Sequence, residues 1–155
     1  MENFYKKGLT IIELVIVLAV LSILVGAAIP QFSKMRENQV LKSGMQNILS
    51  SIDKARSQTL ASINSSQYGV QLEADKIIIF TGTSFTPGAV GNETIDMVSP
   101  SSITNVTVGA ASGTSGEIYF NRLSGNPSAT ASIIISTTNY SKIITISATG
   151  GASVD

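Results

Sequence analysis

The sequence predicts an α+β fold in which a long amino-terminal helix, partly transmembrane, packs on an antiparallel β-sheet or a small β-sandwich. Three observations predict this fold. An apolar run occupies residues 9–29, an amphipathic helical pattern follows in residues 30–63, and short alternating runs separated by turn-forming residues fill residues 64–155. The 155 residues suffice for one compact domain and an additional element.

Residues 9–29 are long and apolar enough to cross a membrane. Only Thr10, Glu13 and Ser22 interrupt the apolar and small residues of this run. As a helix it would extend roughly 31 Å, close to the ~30 Å hydrocarbon core of a bilayer. A carboxylate in such a segment costs up to ~2.5–3.5 kcal/mol on insertion scales, so Glu13 predicts a partner for its charge.

Two kinds of amino-terminal segment have this composition. An ordinary secretory signal would use Lys6 and Lys7 as its basic region and would be cleaved near Ala28. A retained membrane helix would keep the apolar run in the mature protein. Glu13 favours the retained helix, because a signal peptide does not need a carboxylate in its apolar region. Pro30 also follows Ala28 too closely for a good cleavage site.

Residues 30–63 are predicted to continue the helix with one apolar face. Pro30 would lie inside the long helix as a kink, supported by membrane neighbours in the apolar half. Gly44 weakens the helix locally. The predicted core-facing positions recur at three- and four-residue spacing, and they are Val40, Leu41, Met45, Ile48, Leu49, Ile52, Ala55, Leu60 and Ile63.

Residues 64–155 predict short antiparallel strands. In chain order the strands are residues 68–72, 76–80, 94–98, 103–108, 117–121, 131–137 and 142–147. The segments EADK and TNYS are typical of hairpin turns, and longer loops rich in Gly, Ser, Thr, Asn and Pro separate the other strands. This pattern predicts an antiparallel sheet or small sandwich.

The composition excludes most catalytic chemistry. The chain has no cysteine and no histidine, which rules out disulfides, thiolate metal sites, cysteine nucleophiles and serine–histidine pairs. The glycine-rich loops contain no phosphate-binding motif, and the carboxylates are scattered along the chain. The sequence therefore predicts no catalytic residue, no metal site and no cofactor, and the protein is expected not to be an enzyme.

The leader carries a specific resemblance. Lys6-Lys7-Gly8, followed by Leu9-Thr10-Ile11-Ile12-Glu13, resembles the class III signal of type IV pilins and type II secretion pseudopilins. The resemblance implies that a prepilin peptidase cuts after Gly8, so that residues 1–8 are a leader peptide. Leu9 would become the amino terminus and the site of N-methylation, although the family most often has Phe at that position.

The same resemblance implies a role for Glu13 in assembly. It is the fifth residue after the cut, where the family keeps a glutamate that pairs with the new α-amino group of a neighbouring subunit and sets the filament register. Pro30 lies where many pilins carry a kinking proline. A type IV pilin fold is implied, with a single helix in the inner membrane and the carboxyl-terminal domain in the periplasm. The implied partners are other pilins or pseudopilins, prepilin peptidase, the inner-membrane assembly platform and membrane lipid.

The carboxyl-terminal half carries a second, narrower resemblance. ARSQTLAS, EIYFNRLSGNPS and KIITISATGGASV are similar to segments of the GspH/FimT-type minor pilins and pseudopilins, which implies a globular domain of that type in residues 64–155. Some FimT-like proteins bind DNA through basic residues near the carboxyl terminus. Here only Arg122 and Lys142 remain in that region and the chain ends in Asp155, which disfavours nucleic acid as a partner.

The sequence thus predicts a minor pilin or pseudopilin, a structural subunit of a type IV pilus or a type II secretion pseudopilus. Two alternatives stay open. One is a DNA-binding minor pilin of a competence filament, and the other is a secreted β-domain with an ordinary signal peptide.

Overall fold

The computed structural model describes residues 8–155, without the side chains of residues 27–30. The chain divides into an amino-terminal unit, Met1–Arg36, and a globular unit, Glu37–Asp155. A single α-helix, α1 (Ile11–Leu60), belongs to both units. Its bounds include Pro30, and the kink expected at this residue stays a prediction. Lys6 and Lys7 lie outside the described residues.

The globular unit contains two antiparallel sheets. The first is formed by β1 (Tyr68–Leu72), β2 (Lys76–Thr81), β3 (Glu93–Asp96) and β6 (Gly116–Tyr119), in the order β3-β2-β1-β6. The second is formed by β4 (Ser102–Val108), β5 (Ala111–Gly113), β7 (Ala131–Ser136), β8 (Ser141–Ile146) and β9 (Ala152–Val154), in the order β5-β4-β7-β8-β9.

One hydrophobic core joins the carboxyl-terminal part of α1 to both sheets. The helix contributes Leu41, Ile48, Ile52 and Ala55. The strands contribute apolar side chains from β1, β2, β4, β6, β7 and β8, among them Val70, Leu72, Ile77, Ile79, Ile103, Ile118, Ile133, Ile135, Ile144 and Ile146. The predicted α+β fold, a long helix packed on antiparallel sheets, is confirmed.

Gly44 allows the helix to lie close to the second sheet. A Cβ atom at this position would be 2.7 Å from Ile135 Cδ1 and 2.9 Å from Met97 Cε, nearer than carbon atoms normally approach. The sequence showed this glycine only as a weak point of the helix. In the structure, the missing side chain leaves room for the sheet.

The end of α1 differs from the prediction. Leu60 and Ile63 were expected to face the core, but they are 46% and 43% exposed. The helix ends at Leu60, and Ser62 then adopts a left-handed conformation with φ of 49° before a short 3-10 helix at Ile63–Ser65. Because the chain changes direction there, the 3.6-residue period of α1 no longer predicts which side chains at and beyond the end of the helix are buried.

The seven predicted strands are confirmed as β1, β2, β3, β4, β6, β7 and β8; β1 has the predicted bounds, and the ends of the others differ by one or two residues. The largest shifts, of two residues at the carboxyl-terminal end, are at β3, predicted at residues 94–98 and found at Glu93–Asp96, and at β6, predicted at residues 117–121 and found at Gly116–Tyr119. Two strands, β5 and β9, were predicted as loop or tail. Each has three small or β-branched residues paired to one neighbouring strand, and such short segments carry no apolar alternation that a sequence can reveal.

Candidate assembly site

The amino-terminal unit presents its apolar residues to the outside. From Leu9 to Val25, every large apolar side chain is between 49% and 84% exposed. The helix is long and apolar enough to cross a membrane by length and composition. A continuous apolar surface of this size is not stable in water, so these residues need lipid or other apolar helices around them.

The start of α1 is fixed by a local cap. Thr10 precedes the first helical residue, and its Oγ1 accepts a hydrogen bond from the backbone N–H of Glu13 at 3.3 Å. The Thr10 carbonyl accepts the first helical bond, from Leu14 N at 3.1 Å. Thr10 and Glu13 therefore have the spacing of a capping box, in which a hydroxyl satisfies an amide that the helix leaves unpaired. Sequence reasoning missed this role of Thr10, although the T-x-x-E pattern could have shown it.

Glu13 is the one ionisable residue between Gly8 and Ser33. Its carboxylate forms no hydrogen bond or ion pair with any other residue in the range 8–155. Ser22, in contrast, is satisfied within the helix because its hydroxyl donates to the Leu18 carbonyl at 2.7 Å. Among the described side chains of this run, Glu13 is thus the polar group that still needs a partner. Its position in the first helical turn also places its negative charge near the positive end of the helix dipole.

Gly8 and Leu9 lie just before the helix. Neither residue belongs to a helix or strand, and both are exposed, with Leu9 at 75%. A Cβ atom at Gly8 would have no neighbour within 4 Å among the described atoms. The peptide bond between the two residues is therefore exposed with respect to the described residues 8–155. The structure brings Gly8, Leu9 and Glu13 into one short segment at the helix start, while Pro30 lies farther along the same helix.

The basic residues of the carboxyl-terminal half have structural contacts or lie singly on the surface. Arg122 donates from Nη1 to the Ser65 carbonyl at 2.8 Å, which ties the loop after β6 to the end of the helical region. Lys142 is exposed on β8. Among residues 8–155, no group of three or more acidic side chains is placed to hold a metal ion.

Arg56 has a structural role that sequence reasoning missed. Its Nε donates to the Gly125 carbonyl at 3.0 Å and its Nη2 donates to the Thr149 carbonyl at 2.9 Å. One helical side chain therefore holds two loops, the one between β6 and β7 and the one between β8 and β9. Gly125 and Gly150 adopt left-handed conformations with φ of 65° and 82° beside it. In the sequence, the glycines of GNPS and TGG were the one indication of these tight loops.

Comparison with known proteins agrees with the geometry of the amino-terminal unit. Residues 3–29 match the family model described as the prokaryotic N-terminal methylation motif. No curated protein and no solved structure matches the chain. The match covers the exposed apolar part of α1, and this motif is typical of type IV pilin-like prepilins.

Proposed function

We propose that the chain is a minor pilin or pseudopilin, a structural subunit of a type IV pilus or a type II secretion pseudopilus, with a GspH/FimT-type globular domain. The observation that carries the proposal is the exposed apolar helix of the methylation motif, with one carboxylate in its first turn, Glu13, that has no partner among residues 8–155. An anchor alone would need the apolar residues but not the acid. A subunit that packs its helix beside other helices would use the apolar residues for packing and the acid for pairing with a neighbouring subunit.

Processing by a prepilin peptidase creates the partner that Glu13 needs. Cleavage after Gly8 would leave Leu9 with a free α-amino group, which is then methylated. The exposed, non-helical Gly8–Leu9 bond supports this site. The test is the mass of the mature amino terminus in cells with and without prepilin peptidase. A chain that begins at Leu9 only when the peptidase is present is expected, whereas a chain that begins near Ile29 or Pro30 would show an ordinary signal peptide.

Glu13 would set the register of the filament through its charge. Opposite unit charges ~4 Å apart attract by ~4 kcal/mol at an effective dielectric constant near 20. A carboxylate left without a partner among apolar helices is strongly penalised, so only the axial offset that matches amine to carboxylate is stable. We expect Glu13→Gln to be cleaved normally and to be lost from filaments, since it keeps the size and removes the charge.

The matched control for this variant is Ser22→Ala, because Ser22 lies in the same apolar run and its hydroxyl bonds only within its own helix. Ser22→Ala should enter filaments at the wild-type level. Normal incorporation of Glu13→Gln would refute the register role of the carboxylate. It would not refute cleavage after Gly8, which is tested separately.

The proposed topology is a single pass through the inner membrane, with the leader in the cytoplasm and the globular unit in the periplasm. Lys6 and Lys7 agree with this orientation, since basic residues favour the cytoplasmic side. From there the chain would reach the inner-membrane assembly platform and neighbouring pilins. Protease added to spheroplasts should digest the globular unit, and protection of that unit would contradict the topology.

A further inference from the structure

The hairpin of β7 and β8 lies along α1, and its tip is at the amino-terminal end of the globular unit. Ile135 of β7 lies beside Gly44, where a Cβ atom would be 2.7 Å from Ile135 Cδ1. Asn139, in the turn of the hairpin, donates from Nδ2 to the two carboxylate oxygens of Glu37 at 3.1 and 2.9 Å. From Ile135 to Asn139 the hairpin therefore follows α1 back from Gly44 to Glu37, the first residue of the globular unit.

The hairpin tip, residues 137–142, is held in one conformation. The backbone N–H of Thr137 donates to the Tyr140 carbonyl at 2.7 Å, and the Tyr140 N–H donates to the Thr137 hydroxyl at 3.2 Å. These bonds close the turn, and the contact between Asn139 and Glu37 ties it to the helix. The hairpin tip is thus a preformed feature at the Glu37 end of the globular unit.

The side chains of the hairpin tip are of the kinds that lie at a membrane–water interface. Tyr140 is 37% exposed, and its phenol forms no hydrogen bond with any residue in the range 8–155. Lys142 is exposed and lies on the same face of β8 as the buried Ile144, beyond the end of the core. Tyrosine combines an apolar ring with a polar hydroxyl, and lysine combines an apolar stem with a charged end. Both can therefore bridge apolar and aqueous surroundings.

Glu37 lies close along the chain to the end of the apolar run. It follows Ile29 by eight residues, which extend about 12 Å in a helix. Exposed apolar side chains continue into this stretch, since Phe32 is 70% and Met35 is 60% exposed. The headgroup layer on each side of the hydrocarbon core is about 5–8 Å thick. If residues 9–29 span the core, at most about 4–7 Å separates Glu37 from the headgroup layer, which one long side chain can bridge.

The charges around the hairpin tip do not favour one kind of lipid. Residues 137–142 contain Lys142 and no acid. Asp155, however, exchanges backbone hydrogen bonds with Ile143 at 3.4 and 3.0 Å, so the carboxyl terminus lies close to Lys142. The surface is therefore close to neutral, and it fits the zwitterionic headgroups of an ordinary phospholipid bilayer without a need for anionic lipid.

We propose that the hairpin tip, through Tyr140 and Lys142, rests in the headgroup layer of the bilayer that α1 crosses. The partner is lipid because the short stretch between Ile29 and Glu37 keeps the tip beside the membrane. The inference rests on the proposed function, since it requires the apolar run to span the membrane. It adds a second membrane contact, which holds the globular unit at the bilayer surface and which the subunit must break when it enters a filament.

Tryptophan fluorescence of the full-length chain in phosphatidylcholine vesicles tests the contact, and the chain has no native tryptophan to interfere. Tyr140→Trp places a single reporter at the hairpin tip. Its emission should be quenched when the vesicles contain lipid with a nitroxide on the headgroup. Lipid with a nitroxide deep in the acyl chain should quench the same reporter much less, because the tip is expected at the level of the headgroups.

Tyr119→Trp is the matched control, because Tyr119 lies at the other end of the globular unit. It pairs with Gly69 of β1, and the N–H of the neighbouring Tyr68 donates to Thr59 Oγ1 at 2.9 Å. Thr59 follows Glu37 by 22 residues, or roughly 33 Å along the helix. The headgroup nitroxide should therefore leave the emission of Tyr119→Trp unchanged. Circular dichroism should give both variants the Tm of the wild type, which shows that each reporter is in the folded protein.

A third reporter, Leu18→Trp in the middle of the apolar run, separates the inference from the proposed function. Leu18 is 54% exposed, and the deep nitroxide should quench a tryptophan there. If it does but the headgroup nitroxide leaves Tyr140→Trp unquenched, the inference is wrong and the membrane span stands. Equal quenching of Tyr140→Trp and Tyr119→Trp would show non-specific adsorption and would also overturn the inference. If Leu18→Trp is not quenched, α1 does not insert, and both conclusions fail.

Discussion

Replacing Gly150 by alanine should destabilise the globular unit, because this glycine lies where Arg56 holds two loops together. Gly150 has φ of 82°, a left-handed conformation that alanine adopts only with strain. A Cβ atom there would be 2.7 Å from the Gly125 carbonyl oxygen and 2.9 Å from Arg56 Nε. The first of these atoms belongs to the backbone, so it cannot move away as the end of a side chain could.

The expected loss in the free energy of unfolding has two parts. The left-handed conformation costs alanine roughly 1–2 kcal/mol. Displacing the guanidinium would weaken hydrogen bonds of 3.0 Å to Gly125 and 2.9 Å to Thr149, and bonds from a charged donor contribute about 1.5–3 kcal/mol when buried and less when exposed. Because Arg56 is only partly buried, a total of about 2–4 kcal/mol is expected.

Thermal unfolding followed by circular dichroism measures this loss on residues 37–155. About 3 kcal/mol corresponds to a fall in Tm of roughly 10 °C for a domain of this size. Gly151→Ala is the matched control, because its Cβ would lie at an ordinary 3.4 Å from the Ser147 hydroxyl. Arg56→Ala combined with Gly150→Ala should cost less than the sum of the two single changes. Equal Tm values for Gly150→Ala and Gly151→Ala would refute the reasoning.

Three further changes test other parts of the structure. Thr10→Val should speed hydrogen exchange of the Glu13 backbone amide, because it removes the hydroxyl that accepts from this amide, whereas Thr10→Ser keeps the hydroxyl and should not. Equal exchange rates in the two variants would contradict the cap. Gly69→Ala should lower Tm far more than Gly113→Ala, since its Cβ would meet the Ile118 carbonyl oxygen at 2.7 Å and force β1 and β6 apart. Lys54→Ala should cost less than about 1 kcal/mol, and less still at high salt, because its pair with Glu93 is half exposed.

Much of the fold could be predicted because its core residues follow simple periods. Leu41, Ile48, Ile52 and Ala55 recur at helical spacing and are buried together. In β7 the short apolar run of ASIIIS predicted a strand, and the structure buries every second residue of it. Where the local pattern and the long-range packing agree, the sequence is sufficient to predict the element and its buried side.

The features that escaped prediction depend on contacts distant in the chain. Arg56 carries no local signal of its role, and only its approach to Gly125 and Thr149 shows that it holds two loops. Gly44 seemed a weakness until Ile135 was seen against it. At the candidate assembly site the reverse is true. The roles of Gly8 and Glu13 stay predictions, but they could be proposed from local sequence alone, because a protease and a neighbouring helix would each recognise a short contiguous segment.

The helix α1 is used in two different ways along its length. In residues 37–60 it buries an apolar face in the core of its own chain, whereas from Leu9 to Val25 its apolar side chains remain exposed. These exposed residues would lie in lipid before assembly and against other helices afterwards. Lipid tails are about as apolar as leucine, so the hydrophobic effect hardly distinguishes the two environments. On the proposed function, polar groups must therefore decide between membrane and filament. In the described part of this run, Glu13 is the polar residue whose side chain has no hydrogen-bond partner within its own helix.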